Sequence, residues 1–152
     1  MTQHVGSAAV ATRPPRDAGW TPARLFLLVT TIVHLPLALA GVLIDRTFPL
    51  GAQAADAAGS AHIFGLLETN GWHTLGALIV GLVALRGTLN PRAARPVALT
   101  LGVTHVGLFL SLVIWEPSTF WIASNSADQV VHAFTAIGGI ISGLATRSFR
   151  AV

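Results

Sequence analysis

The chain has 152 residues, of which 53% are hydrophobic and only 10% charged, where soluble domains carry roughly a quarter charged residues. With a mean hydropathy of +0.68, this argues against a water-soluble domain and leaves no room for a large extramembrane catalytic unit. A net charge of +3 is too small to suggest nucleic-acid binding, and the lack of cysteine excludes disulfides, iron–sulfur clusters and thiolate chemistry.

At about twenty apolar residues per span, the length allows about four or five transmembrane helices. Residues 1–22 read as a tail, ending in Thr21-Pro22, where Thr can cap free amides and Pro suits the first helical position. The first span covers about Ala23 to Ile44, interrupted only by His34 and Pro36 and closed by Asp45 and Arg46. Pro36 is expected to kink or loosen it. Ala38-Leu39-Ala40 has the form of a signal-peptide cleavage site, but the apolar run continues through Val42, Leu43 and Ile44, so an uncleaved span explains more.

Residues 45–70 form the longest connection, rich in Ala and Gly. Within it, Ala61–Leu67 is expected to lie as a short interfacial helix or to re-enter the membrane edge. The second span runs over about Gly71–Leu89 with Asn70 as its cap, and Asn90-Pro91 supplies a turn or helix-start signal. The third covers about Arg95–Trp115 and is stopped by Glu116-Pro117. The fourth covers about Ala127–Thr146, with a capping box read at Ser126 and Gln129 and a second capping candidate in Asn125. Residues 147–152 form a second tail. Trp72, Trp115 and Trp121 fall near one boundary, as an aromatic belt does.

All nine basic residues are Arg. With the N-terminus inside, eight of them (13, 16, 24, 86, 92, 95, 147 and 150) lie on the cytoplasmic side and only Arg46 lies outside, so the positive-inside rule gives N-in and C-in. The fold class read from the sequence is therefore all-α, a polytopic four-helix membrane bundle, N-in and C-in. The bilayer is the expected partner, with other membrane proteins or a second copy left open.

Each span carries one histidine: His34, His73, His105 and His132. Ionisable side chains inside spans are costly, so one per helix is the feature that needs a cause. His34 and His105 stand eleven residues from Asp45 and Glu116, which places both ~16 Å below the outer ends. His73 and His132 lie within about 8 Å of that surface and form a shallower layer. In an up-down-up-down bundle each layer faces itself across the core. Small residues at helical spacing support inward faces: Ala38 and Gly41, Gly76 and Ala77, Gly102, then Ala136, Gly139 and Gly143.

Several chemistries share this pattern. As polar packing, the imidazoles would bond across helices to backbone, to Thr30, Thr31, Thr104 or Thr135, or to each other. As cofactor ligands, His34/His105 and His73/His132 would be two axial pairs for haem b. As a metal centre, His73 and His132 would join Asp128, Glu68 or His62 around zinc, iron or manganese. No cofactor at all is an equally open reading. Asp128, four residues before His132, is placed to orient that ring and is equally suited to stabilise the helix N-terminus, and a proton or ion path through the four rings lacks any acidic residue in the inner half. No Walker loop, dinucleotide fingerprint, nucleophile elbow or HExxH appears, so no catalytic residue is assigned. The leading class is a non-enzymatic structural, accessory or small-solute-handling membrane protein.

Leu66-Leu67-Glu68-Thr69-Asn70-Gly71-Trp72-His73 followed by Leu75–Leu85, and Asn125-Ser126-Ala127-Asp128 leading to His132 and a Gly-rich helix, carry a resemblance. They resemble the bacterial four-helix membrane proteins grouped as domain of unknown function 4383, over about Leu25 to Ala145. The resemblance implies four spans and a membrane location, and no substrate, cofactor or reaction. Members often carry a further His four residues after the position of His73, where this chain has Ala77; that departure weakens a multi-His metal site.

Overall fold

A computed structural model describes residues 19–50, 61–114 and 122–147. Trp115, Trp121, the Glu116-Pro117 stop, and residues 1–18 and 148–152 of the tails lie outside the described residues. The described chain is mostly helical: α1 Pro22–Ile44, a small hairpin of β1 His62–Ile63 and β2 Leu67–Glu68, then α2 Gly71–Leu89, α3 Pro91–Ile114 and α4 Ser126–Ala145. α1, α2 and the Pro91–Ser111 stretch of α3 are each long and apolar enough to cross a membrane.

Local chemistry sets the ends. Thr21 caps α1, its side chain accepting from the Arg24 amide, and α1 continues as one helix through Pro36. The Asn70 side chain accepts from the His73 amide to start α2. α3 begins at Pro91, earlier than the expected Arg95, because Pro fits the first turn and the Asn90 side chain takes the Arg92 amide at 3.1 Å. The cap of α4 is Asn125, not Ser126, and the box partner is Asp128, not Gln129: the Asn125 side chain accepts from the Asp128 amide while the Asp128 carboxylate accepts from the Asn125 amide.

The segment expected to be an interfacial helix is instead an antiparallel hairpin, pairing His62 with Glu68 and Ile63 with Leu67. Its turn passes through two left-handed residues, Phe64 (φ 54°) and Gly65 (φ 71°). A single helical turn or two would have to stand without tertiary support. The hairpin instead gains bonds to α4, the Asn125 side-chain amide donating to the Leu66 carbonyl at 2.8 Å and the Glu68 amide to Asp128 Oδ2 at 3.1 Å.

α1 packs mainly on α2, and α3 mainly on α4. α3 and α4 meet backbone to backbone. A Cβ at Gly139 would stand 2.7 Å from the Ala98 carbonyl oxygen and 2.8 Å from the Gly102 Cα, so only glycine lets these backbones meet. Gly81 and Gly143 similarly receive Leu35 and Leu99. At the helix ends remote from the hairpin lies a small apolar cluster of Ala23, Leu27, Ala84, Ala94, Ala98 and Leu101. There the first and last helices are tied together, the Ala23 amide donating to Thr146 Oγ1 at 2.9 Å.

α4 is inverted relative to a water-soluble amphipathic helix. Its buried face is Asp128, His132, Thr135, Ala136, Gly139, Ser142 and Gly143, while Val130, Phe134, Ile137, Ile141 and Leu144 are each at least 60% exposed.

Candidate functional site

The half of the molecule nearer the hairpin holds the four histidines. His34 is on α1 and His105 on α3, and both are buried. The Nδ1 of His34 donates to the Thr30 carbonyl at 3.0 Å and that of His105 to the Leu101 carbonyl at 2.8 Å, each four residues back on its own helix. His73, at the start of α2, donates from Nδ1 to the Glu68 carbonyl at 2.8 Å. A carbonyl oxygen can only accept, so all three rings carry their proton on Nδ1 and turn Nε2 away from the backbone. His132 on α4 differs: it is 7% exposed, and neither of its ring nitrogens has a hydrogen-bond partner.

The rings form one connected row. Ring centres lie 6.1 Å apart for His34 and His105, 5.6 Å for His105 and His132, and 6.0 Å for His132 and His73. The two layers read from the sequence are thus joined by the His105–His132 contact. All four rings line a single cavity of about 250 Å³, whose remaining wall is mostly apolar, with Leu37, Ile79, Val80, Leu108 and Val131 among its residues. The hairpin contributes Ile63 and Leu67, and Trp72, donating from its ring to the Pro49 carbonyl at 3.0 Å, forms another part of the wall.

The expected cross-helix bonding of the imidazoles gives way to bonding along the chain. Thr30, Thr31 and Thr135 likewise donate to carbonyls four residues back, at Phe26, Leu27 and Val131, the usual way a helix satisfies a hydroxyl without a neighbour. Of the two roles open to Asp128, orienting His132 or stabilising the helix start, the structure has the second. Asp128 Oδ2 accepts from the amides of Asn125 at 2.9 Å and Glu68 at 3.1 Å, closing the helix cap and fastening the hairpin.

Of the residues read as a metal set, His73, His132 and Asp128 line the cavity, whereas the Glu68 carboxylate stands 3.9 Å from His62 Nε2 on the hairpin. Among the described residues no three His, Asp or Glu side chains are grouped to hold a metal ion. The sequence reading missed Ile63, Leu67 and Thr69 as wall residues. Gly65, which permits the left-handed turn, was the one local signal for a hairpin there.

A family model described as a domain of unknown function (DUF4383) matches residues 24–145, most of the chain and all four helices save the start of α1. No curated protein and no solved structure matches.

Proposed function

We propose that this chain, which belongs to the DUF4383 family, is a polytopic, non-enzymatic membrane protein whose cavity between the helices binds a small solute. One observation carries the reading: His132 is buried against the cavity with both ring nitrogens unpartnered. Leaving a buried polar group unsatisfied costs about 1–3 kcal/mol. A molecule in the cavity that bonds to the ring removes that cost. The inverted α4 supports a bilayer setting, because a helix with small and polar residues inside and large apolar residues outside suits lipid and not water. We take all four helices as spans, with N-in and C-in orientation in a bacterial plasma membrane, from the arginine distribution.

A second reading, a haem or transition-metal redox protein, has one observation in its favour. Nδ1 of His34, His73 and His105 each donates to a carbonyl, the support that metal-bound imidazoles receive, leaving Nε2 for the metal. The shared cavity of about 250 Å³ is small for two porphyrins, since pockets for drug-sized molecules already measure about 300–1,000 Å³. Proton or ion conduction has least support, because an apolar cluster of Ala23, Leu27, Ala84, Ala94, Ala98 and Leu101 lies beyond the rings and the buried hydroxyls of Thr30, Thr31 and Thr135 are each donated to a carbonyl of their own helix.

The test is made on detergent-purified protein: oxidised and reduced absorption spectra, elemental analysis, and mass spectrometry of a solvent extract, followed by titration with benzene-sized probes. Recovery of an organic molecule at stoichiometric level, or saturable probe binding in the cavity, is expected. A reducible Soret band or stoichiometric metal moves the assignment to the second reading. A protein that binds no probe and yields no bound molecule has a cavity with no binding role.

A further inference from the structure

We infer that the solute carries a hydroxyl group on a compact apolar body, of the size of a phenol, and that His132 and His105 hold that hydroxyl. The inference rests on the reading of the cavity as a solute site and gives the solute its chemistry.

It comes from counting donors and acceptors. In their neutral forms His34 and His105, with Nδ1–H already donated to Thr30 and Leu101, each present only a lone pair on Nε2, and neither Nε2 is bonded among the described residues. His132 presents one N–H and one lone pair, both unused. Elsewhere on the wall His73 adds one more lone pair on Nε2 and Thr104 adds a hydroxyl, while several other polar groups are engaged. The hydroxyls of Thr69 and Thr74 pair with each other at 3.2 Å, Trp72 donates to Pro49, and Asp128 Oδ2 accepts two backbone amides. These three rings therefore offer three acceptors and one donor.

A ligand that only accepts, such as an ether or a ketone, can use the one N–H and leaves every lone pair unmet. A ligand that only donates leaves the N–H unmet. A hydroxyl does both from one atom. Both His132 nitrogens are covered in the structure, so binding includes a turn of that ring; with ring centres 5.6 Å apart, one oxygen can then lie about 2.8–3.0 Å from a nitrogen of each ring.

Size and wall chemistry define the rest of the molecule. Water could make the same two bonds. At ~30 Å³ each, about eight waters would occupy a space of this volume, and each needs two to four polar partners. Leu37, Ile79, Val80, Leu108 and Val131 supply none. An apolar cavity of about 150 Å³ accepts benzene, so one of about 250 Å³ takes a single substituted ring with its hydroxyl turned to the row of imidazoles.

The experiment compares phenol with anisole, which has the same ring but whose oxygen can only accept, by titration of the purified full chain in detergent. Phenol is expected to bind at least about tenfold tighter than anisole. His132→Leu should bring the two affinities together while keeping the weaker binding, and His132→Gln, which retains a donor and an acceptor, should keep the preference. Circular dichroism of each variant confirms its helical content. Equal binding of phenol and anisole to the wild type overturns the hydroxyl inference and leaves the solute site standing. Binding of neither overturns both. Saturable binding of Zn²⁺ or Cu²⁺ that displaces phenol overturns the inference in favour of a metal on the imidazoles.

Discussion

His105 and His132 face each other across the α3–α4 contact with ring centres 5.6 Å apart, and Gly102 and Gly139, on those same helices, hold the two backbones in direct contact. The contacts Leu99 to Gly143, Gly102 to Ile140 and His105 to His132 run in opposite chain directions, so the helices are antiparallel. The spacing of the rings is thus fixed by glycines that never touch the cavity.

Gly139→Leu should therefore destabilise the protein by at least about 1–3 kcal/mol, the cost of overpacking a close contact. Gly107, where an added Cβ meets nothing within 4 Å, provides the comparison: Gly107→Ala should stabilise by about 0.5–1 kcal/mol through helix propensity. Thermal unfolding in one detergent measures both, and equal midpoints would remove the close contact from the account.

His132→Leu should leave the ligand-free protein as stable as the wild type or more so, by up to about 1–2 kcal/mol, because it replaces two unpartnered buried nitrogens with apolar atoms and breaks no hydrogen bond. The gain in stability and the loss of binding would come from one substitution. A clear loss of stability would mean that the ring has a partner in the folded protein.

Asp128→Ala should cost about 1–2 kcal/mol as a lost cap and should also free the hairpin, since the same carboxylate oxygen holds the Glu68 amide. Hydrogen exchange resolves the two effects. The Glu68 amide should exchange faster in the variant, while Asn70, whose own side chain caps α2, should still protect the His73 amide. Unchanged exchange at Glu68 would separate the carboxylate from the hairpin.

The absence of native cysteine allows the orientation to be read with single introduced thiols. Arg46→Cys should react with a membrane-impermeant thiol reagent in intact cells, and Arg92→Cys only after permeabilisation, in keeping with the arginine distribution. The reverse pattern inverts the topology.

The helices are legible in the sequence because apolar runs of the right length are bounded by residues with specific terminal roles, Thr21, Asn70 and Asn90 above all. The meeting of the imidazoles is partly legible as well: one His per helix at two depths leads to His34 near His105 and His73 near His132, while the link between the pairs depends on helix rotation, which spacing alone does not set. Two features share a cause. Local spacing leaves Asp128 open to either His132 or the helix start, and Ala61–Leu67 is apolar enough for a helix, but in both cases long-range bonds contribute to the outcome: the amide of Glu68 takes the carboxylate, and α4 takes the hairpin. Competition from partners sixty residues away leaves no mark on local pattern.

The bond between the Ala23 amide and Thr146 spans 123 positions of chain. α1 precedes α4 in synthesis, so this donor at the start of α1 meets its hydroxyl only after α4 has been made. Of the four described helices, the first to be made is accordingly the last to have its terminal bonds completed.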